Sequence, residues 1–382
     1  MWGQAGVSLK RNLSNGTSSW GPGGTPTIVD IQRIGILRQI RMLTKATATF
    51  TAGASLALDT IGPYNLYRTL TLSPNQTAPI ARLSGLGSYL AMQMKGEEVK
   101  GYSPDGQPVV FPNADGIGDV FNASRITTNG DWRLYHDIFV SQYIRDIGCE
   151  LGMWPLENPA VQLQLEYTPA SITTASPFSI DNKAAAGASG TTVYFGDITS
   201  DVTLTTPTVD IRRFLWEVPA NAEDDPPYTY INQWLEEAPQ GGNVNGASFI
   251  EWKCIPLSGV IQRVGIFVYD GGASLPVGAG VAETSLTAGN SLTLLYGADT
   301  QKYAETGQAA HARMHRELGA TPQKGFFFWN LLGSALTLAD VIDTYTTPEV
   351  RIDVNLSVAL GGANSFARVV RQMLVPIEIR GR

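Results

Sequence analysis

Histidine and cysteine are scarce in this chain of 382 residues. There are three histidines (His136, His311 and His315) and two cysteines (Cys149 and Cys254). Two cysteines are too few for a disulfide scaffold in a protein of this size, so both are expected to be small buried residues. Three histidines cannot furnish a ligand set for each of two domains. This scarcity excludes a two-domain enzyme with a histidine-bound metal in each domain.

Sequence motifs of the common enzyme classes are also missing. The chain contains no G-x-x-x-x-G-K-[ST] phosphate loop and no G-x-S-x-G nucleophile elbow. The glycines of 84–88 and 276–282 lack the preceding strand and the spacing of a dinucleotide site, so they are interpreted as loop glycines. We therefore predict a protein that is not an enzyme, with no catalytic residues, cofactor-binding residues, metal ligands, cofactor or small-molecule substrate.

Two clusters of polar residues leave metal binding open as an alternative. His311 and His315 are four residues apart, which on a helix could place both at one metal ion, but the segment lacks the glutamate of the metalloprotease pattern. An exposed polar helix is the ordinary explanation. The acidic run 223–225 would suit a hard cation such as calcium, or it is a solvated loop. His136 is interpreted as a structural residue on a strand.

Charge is low and unevenly distributed. Charged residues make up 16% of the chain, against about 25% in an average soluble domain. Either neighbouring molecules cover much of the surface, or uncharged polar residues keep the protein soluble. Residues 1–45 carry a net charge of +5, which leaves −7 − 5 = −12 for the remainder. The six basic residues of this segment are Lys10, Arg11, Arg33, Arg38, Arg41 and Lys45.

Two interpretations of the basic segment are open. It contacts an anionic partner, such as nucleic acid or a membrane surface. Alternatively, it is a solvated arm followed by a strand edge that arginines protect. Residues 1–27 lack the apolar run of a signal peptide, and their glycine, serine and asparagine content predicts a flexible arm.

Long apolar runs are absent. The best candidate, 326–342, contains Asn330, Ser334 and Asp340 and is shorter than the roughly 20 apolar residues that cross a bilayer. It is predicted to form a buried strand followed by a turn and a short helix.

Short segments of alternating polarity dominate the chain. Forty glycines and 22 prolines divide it into short runs, in which apolar and polar residues alternate as in strands with one buried face. The clearest runs are 47–51, 66–72, 160–167, 202–206, 260–269 and 350–358. Helical patterns are short and few: 139–148, 230–238 and 300–318. This pattern predicts an all-β sandwich or barrel architecture.

The two halves of the chain share an ordered set of segments. GASLALDTIGPYNLYRTLTL (53–72) matches GASFIEWKCIPLSGVIQRVGIF (246–267), and NPAVQLQLEY (158–167) matches TPEVRIDVNL (347–356). The same order at nearly the same separation indicates a duplicated all-β domain.

The duplication predicts which strands are equivalent. Leu66–Leu72 should correspond to Val260–Phe267, and Val161–Leu165 to Val350–Val354. Arg68 and Arg263 would then occupy matching positions and share one role. That role is either an ion pair with a carboxylate at a barrel edge or a contact with another subunit.

This layout resembles the double-jelly-roll major capsid proteins of tailless icosahedral double-stranded DNA viruses, the tectivirus-like lineage. The resemblance covers most of residues 28–377. It rests on the paired segments of the second half and on three stretches of the first half: RIGILRQIRM (33–42), GPYNLYRTLTLSPN (62–75) and IARLSGLGSYL (80–90). It implies two tandem eight-stranded jelly-roll barrels in one chain, with short helices and long loops. The expected division is a flexible arm (1–27), a first jelly roll (28–170), a linker or long loop (171–208) and a second jelly roll with a C-terminal tail (209–382).

The resemblance also implies an assembly. Three chains would form a pseudo-hexagonal homotrimer that tiles an icosahedral virion shell, after synthesis in the host cytoplasm. The implied partners are further copies of the chain, neighbouring capsomers, and penton and minor capsid proteins. An internal membrane or the genome would contact the basic N-terminal segment.

Two other classes compete with a capsid protein. One is a virion spike or carbohydrate-binding adhesin with two β-sandwich domains, for which the chain offers the aromatic residues Trp132, Trp154, Trp216, Trp234 and Trp252. A sugar-binding face would expose tryptophans, whereas several of these lie in apolar strand patterns. The other is a two-barrel metal enzyme, which the histidine count excludes.

Overall fold

The computed structural model describes residues 9–21, 25–50, 57–58, 67–95, 101–102, 108–109, 111–112, 118–119, 130–144, 149–156, 159–169, 192–193, 202–217, 230–240, 244–254, 259–271, 279–297, 300–318, 323–332, 341–345, 347, 349–361 and 365–376. Sixteen of the described strands build two barrels of eight strands each, one after the other along the chain.

The first barrel takes its strands from the first 217 residues. They are β1 (Leu9–Ser19), β2 (Thr27–Asp30), β3 (Ile36–Phe50), β4 (Tyr67–Pro74), β5 (Ala81–Leu83), β6 (Gly130–Phe139), β7 (Leu163–Pro169) and β8 (Val202–Glu217). One sheet has the order β1-β8-β3-β6 and the other has the order β2-β7-β4-β5. All these pairings are antiparallel. Two four-stranded sheets in which the first strand lies beside the eighth form a jelly roll.

The second barrel repeats this arrangement. Its strands are β9 (Tyr230–Glu237), β10 (Phe249–Cys254), β11 (Val260–Asp270), β12 (Leu292–Tyr296), β13 (Thr300–Glu305), β14 (Phe326–Asn330), β15 (Val350–Asn355) and β16 (Phe366–Pro376). The sheets have the orders β9-β16-β11-β14 and β10-β15-β12-β13. The predicted fold class, two tandem eight-stranded jelly rolls, is therefore confirmed.

Shorter elements decorate the barrels. Helix α1 (Gly85–Met94) joins the fifth and sixth strands of the first barrel, and α2 (Gly307–Leu318) joins the equivalent strands of the second. A 3₁₀ turn spans Glu283–Ser285. The remaining described strands have two or three residues: Ala57–Leu58, Gly101–Tyr102, Pro108–Val109, Phe111–Pro112, Gly118–Asp119, Gln142–Ile144, Cys149–Leu151, Trp154–Pro155, Thr192–Val193, Ala279–Gly280 and Ile342–Asp343.

Helix α1 corrects the interpretation of 84–88 as a glycine loop. Ser84 caps the helix, because its hydroxyl oxygen accepts a hydrogen bond from the Gly87 N–H at 3.0 Å. All ten helical residues are buried, so packing on every side offsets the low helix propensity of the glycines.

The other helix predictions were right only in part. Residues 230–238 form strand β9 instead, because eight rungs of antiparallel pairing with β16 satisfy its backbone groups and an isolated helix of this length is marginal. In 139–148, β6 ends at Phe139 and a short strand follows at Gln142–Ile144. Residues 300–318 divide into strand β13 and helix α2. The strand predicted at the start of 326–342 is confirmed as β14.

The strand pairing also departs from the predicted domain boundaries. Residues 9–19, placed in a flexible arm, form β1, which pairs with β8 along its length. Strand β8 starts within the predicted linker (171–208), runs on into the predicted second domain, and completes the first barrel beside β3. Distant strands meet in a jelly roll, so composition along the chain is a poor guide to where a barrel closes.

The duplication is confirmed for one of the two predicted strand pairs. Val161–Leu165 leads into β7 and Val350–Val354 lies on β15, and each is the seventh strand of its barrel. Of the predicted segment Leu66–Leu72, the described residues 67–72 lie on β4, a fourth strand, whereas Val260–Phe267 lies on β11, a third strand. The predicted equivalence of 66–72 with 260–267 was wrong. Strands of alternating polarity and similar composition match in sequence even when they occupy different positions in their barrels.

Close packing between neighbouring strands generates one stability prediction. A Cβ atom added at Gly265 in β11 would lie 2.7 Å from Cβ of Phe328 and 2.8 Å from Cε2 of Phe326. Gly265→Ala should lower the free energy of unfolding by about 1–3 kcal/mol, the usual cost of overpacking. Gly361→Ala is the control, because an added Cβ meets nothing within 4 Å there. Urea unfolding of both variants measures the difference, and equal losses would contradict the packing argument.

Candidate assembly site: the seam between the barrels and the charged sheet faces

The two barrels are joined by backbone hydrogen bonds. Strand β5 of the first barrel pairs in parallel with β9 of the second, with Ala81 opposite Trp234 and Arg82 opposite Leu235. The Trp234 N–H also donates to the Ile80 carbonyl at 2.9 Å. One sheet therefore runs from β2 through β7, β4, β5, β9 and β16 to β11. We call this junction, with the side chains that cross it, the seam.

Glu236 anchors the seam electrostatically. The N–H and the hydroxyl of Ser84 both donate to its carboxylate, and Arg368 Nε lies 3.5 Å from the same group. Burial lowers the pKa of Arg368, and the charge of Glu236 opposes that shift. The start of α1 is thus fixed to the sheet of the second barrel by a buried ion pair.

Helix α1 contacts the second barrel at a further point. The Tyr89 hydroxyl donates to Oε1 of Gln323 at 3.1 Å, and the Gln323 N–H donates to Oε1 of Gln93 at 3.3 Å. Gln323 precedes β14 of the second barrel. The helix therefore lies between the barrels and contacts both.

Gly152 allows a close approach of the two backbones at the seam. It forms a parallel bridge with Ile231 at the start of β9, and its φ of +70° lies in the left-handed region. An added Cβ would lie 2.4 Å from Cβ of Asn232. Only glycine meets both conditions here.

The outer face of the sheet β1-β8-β3-β6 carries a ladder of ion pairs. Its members are Arg11–Glu217, Arg38–Glu150, Arg41–Asp137 and Lys45–Asp210. Four of the six basic residues that give the leading segment its positive charge are therefore neutralised by acids from β6, β8 and the strand Cys149–Leu151. The second interpretation of this segment, a solvated arm followed by a strand edge that arginines protect, is not borne out: residues 9–19 pair with β8, and Arg38, Arg41 and Lys45 lie on β3, an inner strand between β8 and β6.

Aromatic rings support the same ladder. The Arg41 guanidinium donates to both carboxylate oxygens of Asp137, at 2.7 and 2.6 Å, and lies over the rings of Tyr135 and Phe214 at 4.7 and 5.3 Å. Arg38 lies over Trp216 at 5.2 Å. Stacking and bidentate pairing hold these side chains in fixed positions.

A second charged patch lies on β10 and β15. Glu251 is opposite Asp353 and Lys253 is opposite Arg351 across this pair of strands. Arg351 Nε lies 3.2 Å from Asp353 and 3.8 Å from Glu251. Burial raises the pKa of Asp353, Arg351 lowers it, and the neighbouring charge of Glu251 raises it further.

Solved structures share this architecture across nearly the whole chain. The major capsid protein of Sulfolobus turreted icosahedral virus is 16% identical with a TM-score of 0.61, and the alignment covers 97% of each chain. The PBCV-1 virus capsid is 11% identical with a TM-score of 0.58, covering 96% of this chain and 93% of that one. The major capsid protein P2 of bacteriophage PM2 is 8% identical with a TM-score of 0.50, covering 98% and 100%. This chain has the double-jelly-roll fold. No protein-family model and no curated protein matches the sequence.

The double jelly roll places the residues singled out by sequence in different surroundings. His136 is buried on β6, edge-on to Tyr67 with ring centroids 4.9 Å apart, which confirms a structural role. His311 and His315 lie on α2. The described residues contain no group of three or more histidine, cysteine, aspartate or glutamate side chains that could hold a metal ion. The acidic run 223–225 lies outside the described residues.

The two arginines predicted to share a role do not occupy equivalent positions. Arg68 is exposed on β4, whereas Arg263 is only 5% exposed on β11. Arg263 is thus too deeply buried within its own chain to offer a large surface to another subunit. The wrong strand equivalence explains the wrong pairing.

Cys254 is buried, as predicted. Burial raises the pKa of its thiol to about 11, although Arg371 opposes the shift. Arg371 Nη2 donates to Glu237 at 2.6 Å, and Trp252 Nε1 donates to the same carboxylate at 3.0 Å. The side chain of Cys149 lies outside the described residues. Among the helices that the structure describes, none is long and apolar enough to cross a bilayer.

The seam ion pair generates a second prediction. Glu236→Gln keeps the shape of the side chain but replaces the carboxylate beside Arg368 with a neutral amide. The free energy of unfolding should fall by about 3 kcal/mol, as expected when one partner of a buried pair is removed. Glu217→Gln, which breaks the exposed pair with Arg11, is the control and should cost less than about 1 kcal/mol. Similar losses in denaturant titrations would show that Glu236 does not anchor the seam.

The raised pKa of Asp353 predicts a pH dependence. A carboxyl group with a raised pKa in the folded state contributes stability below its unfolded pKa and loses it as pH rises through the folded pKa. Asp353→Asn should therefore unfold at higher temperature than the wild type at pH 7, and the difference should shrink as pH falls toward about 4. Glu349→Gln, a more exposed change on the same face, should keep the wild-type pH profile. Calorimetry from pH 4 to 7 tests this, and an Asp353→Asn variant less stable at pH 7 would contradict it.

Proposed function

We propose that this chain is a major capsid protein, a structural protein without enzymatic activity that forms the shell of a virion. The observation that carries the proposal is the continuous sheet across the seam, which makes two jelly rolls one unit. Solved capsid proteins share this fold over nearly their full length. A protein of this kind acts through its surfaces, so its functional site is the set of faces that meet other copies.

The proposed building block is a homotrimer. Three chains with two barrels each would place six barrels around a threefold axis, which gives a near-hexagonal tile. Such a tile requires that the two barrels keep a fixed angle under load. The β5–β9 pairing and the buried Glu236 pair supply that rigidity.

Exposed apolar side chains mark the proposed contacts between subunits. Ile28 lies on the edge strand β2 and Ile34 follows it, Phe249 lies on the edge strand β10, and Tyr345 and Val358 lie in loops of the second barrel. Edge strands leave backbone groups unpaired unless another chain covers them. The proposed partners are thus copies of the same chain, neighbouring capsomers, and penton and minor capsid proteins. Because most of the basic segment is neutralised by ion pairs, contact with a membrane or genome through β1 and β3 receives little support.

The spike or adhesin alternative rests on tryptophans, of which Trp154 and Trp216 are half-buried, while the side chain of Trp132 lies outside the described residues. Trp234, Trp252 and Trp329 are all buried in the second barrel. Sugar-binding sites present aromatic rings to solvent, so these rings are packing residues.

Light scattering on the purified chain tests the proposal. The expected mass is three times 41.1 kDa, about 123 kDa, and electron microscopy of concentrated protein should show hexagonal tiles or shells. Phe249→Gln should weaken association, because it removes an exposed apolar contact on an edge strand. The control Lys302→Gln changes a polar residue on β13, at the opposite edge of the same sheet. A stable monomer of wild-type protein at micromolar concentration would refute the trimer.

A further inference from the structure

A buried polar cluster lies at the seam, where the first barrel meets the second. Gln142 belongs to the short strand that follows β6, while Asn232, Arg263 and Gln372 lie on β9, β11 and β16 of the second barrel. Each of the four is at most 5% exposed. Gln372 is central: its Nε2 donates to Oε1 of Gln142 at 2.5 Å and to Oδ1 of Asn232 at 2.9 Å, and its Oε1 accepts from Nη1 of Arg263.

The guanidinium fixes the orientation of every amide in this cluster. Arginine can only donate, so the oxygen of Gln372 has to face Arg263 and its NH₂ group has to face the other two amides. Gln142 and Asn232 must then present their oxygens to Gln372. Their own NH₂ groups point away from Gln372, and flipping any one amide would set two donors against each other.

This arrangement leaves an excess of hydrogen-bond donors. Within the described parts of the chain, Nε of Arg263, Nε2 of Gln142 and Nδ2 of Asn232 are buried and have no acceptor. All three surplus atoms are donors. The amide of the preceding residue, Gln262, is buried as well, but no contact ties it to the cluster.

Within the described residues, the positive charge of this cluster has no carboxylate partner. Among the residues that the structure describes, no carboxylate lies within 4 Å of Arg263, whereas Arg41, Arg368 and Arg371 each have one. Burial alone lowers the pKa of Arg263 to about 10, so the guanidinium stays protonated at neutral pH. A buried cation without a counter-ion is strongly destabilising, and proteins pair such charges.

We propose that a small inorganic anion of the halide type, such as chloride, binds at this cluster. A halide accepts hydrogen bonds from several donors, has none to donate, and neutralises Arg263. Because the three surplus atoms are all donors, a water molecule bound there would find no acceptor among them for its own two hydrogens. Because the cluster draws on both barrels, the bound anion links Gln142 of the first to the sheet of the second. It therefore stabilises the seam, whatever the chain assembles into.

Thermal unfolding at constant ionic strength tests the site. The full chain in sodium gluconate is titrated with sodium chloride or sodium bromide. The unfolding midpoint should rise with halide and then saturate, as for a ligand that binds only the folded state. Arg68→Met, which removes an exposed arginine on β4, should keep this response.

Two variants identify the binding residues. Arg263→Met should abolish the halide response, because it removes the charge. Gln142→Glu supplies a fixed carboxylate that still accepts from Gln372. It should fold at least as stably as the wild type in gluconate. The halide concentration that gives half of the rise in unfolding temperature should increase tenfold or more. The Glu variant keeps the test decisive if the Met variant fails to fold.

Crystals soaked in bromide give the position of the ion. An anomalous peak within hydrogen-bond distance of Arg263 Nε and Asn232 Nδ2 is the expected result. Three outcomes would overturn the proposal: water alone at the cluster, no halide dependence of the wild type, or a halide response that Gln142→Glu retains.

Discussion

The parallel pairing of β5 with β9 is the constraint on which the rest of the structure depends. Strand β5 has three residues, yet it joins a four-stranded sheet of the first barrel to a four-stranded sheet of the second. Without this pairing, both strands would be exposed edges with unpaired backbone groups. With it, the angle between the barrels is set by hydrogen-bond geometry, and one continuous core extends through both.

Several polar groups at this junction are paired, although within the described residues Nε2 of Gln93 and Nε1 of Trp234 are buried without a partner. Glu236 is paired with Arg368 and Ser84, and helix α1 reaches Gln323 through its own side chains. In the cluster around Arg263, buried donors outnumber acceptors. A junction between two barrels brings polar edges into the interior, so its stability depends on whether each buried charge finds a counter-charge.

Several features of this fold follow from local sequence. Alternating polarity between glycine- and proline-rich turns predicts strands, and the scarcity of helical periodicity predicts an all-β protein; both are seen. The matching segments 158–167 and 347–356 identify the seventh strand of each barrel. Predictions from local sequence were wrong where tertiary contacts decide the structure. Residues 230–238 form β9 because β16 and β5 lie on either side of it. Residues 84–88 begin a helix because that helix is packed on all sides.

The sequence by itself determined the class of fold, its duplication and the lack of catalytic motifs, because these depend on composition and on local periodicity. Only the tertiary structure decided where each barrel closes, which strands are equivalent and which charges are paired. Strand β8 reaches back to β1 across nearly 200 residues, and Arg263 is buried at the seam while Arg68 is exposed. In a jelly roll, neighbouring strands come from distant parts of the chain, so the partner of a strand or a charge cannot be read from the residues beside it in sequence.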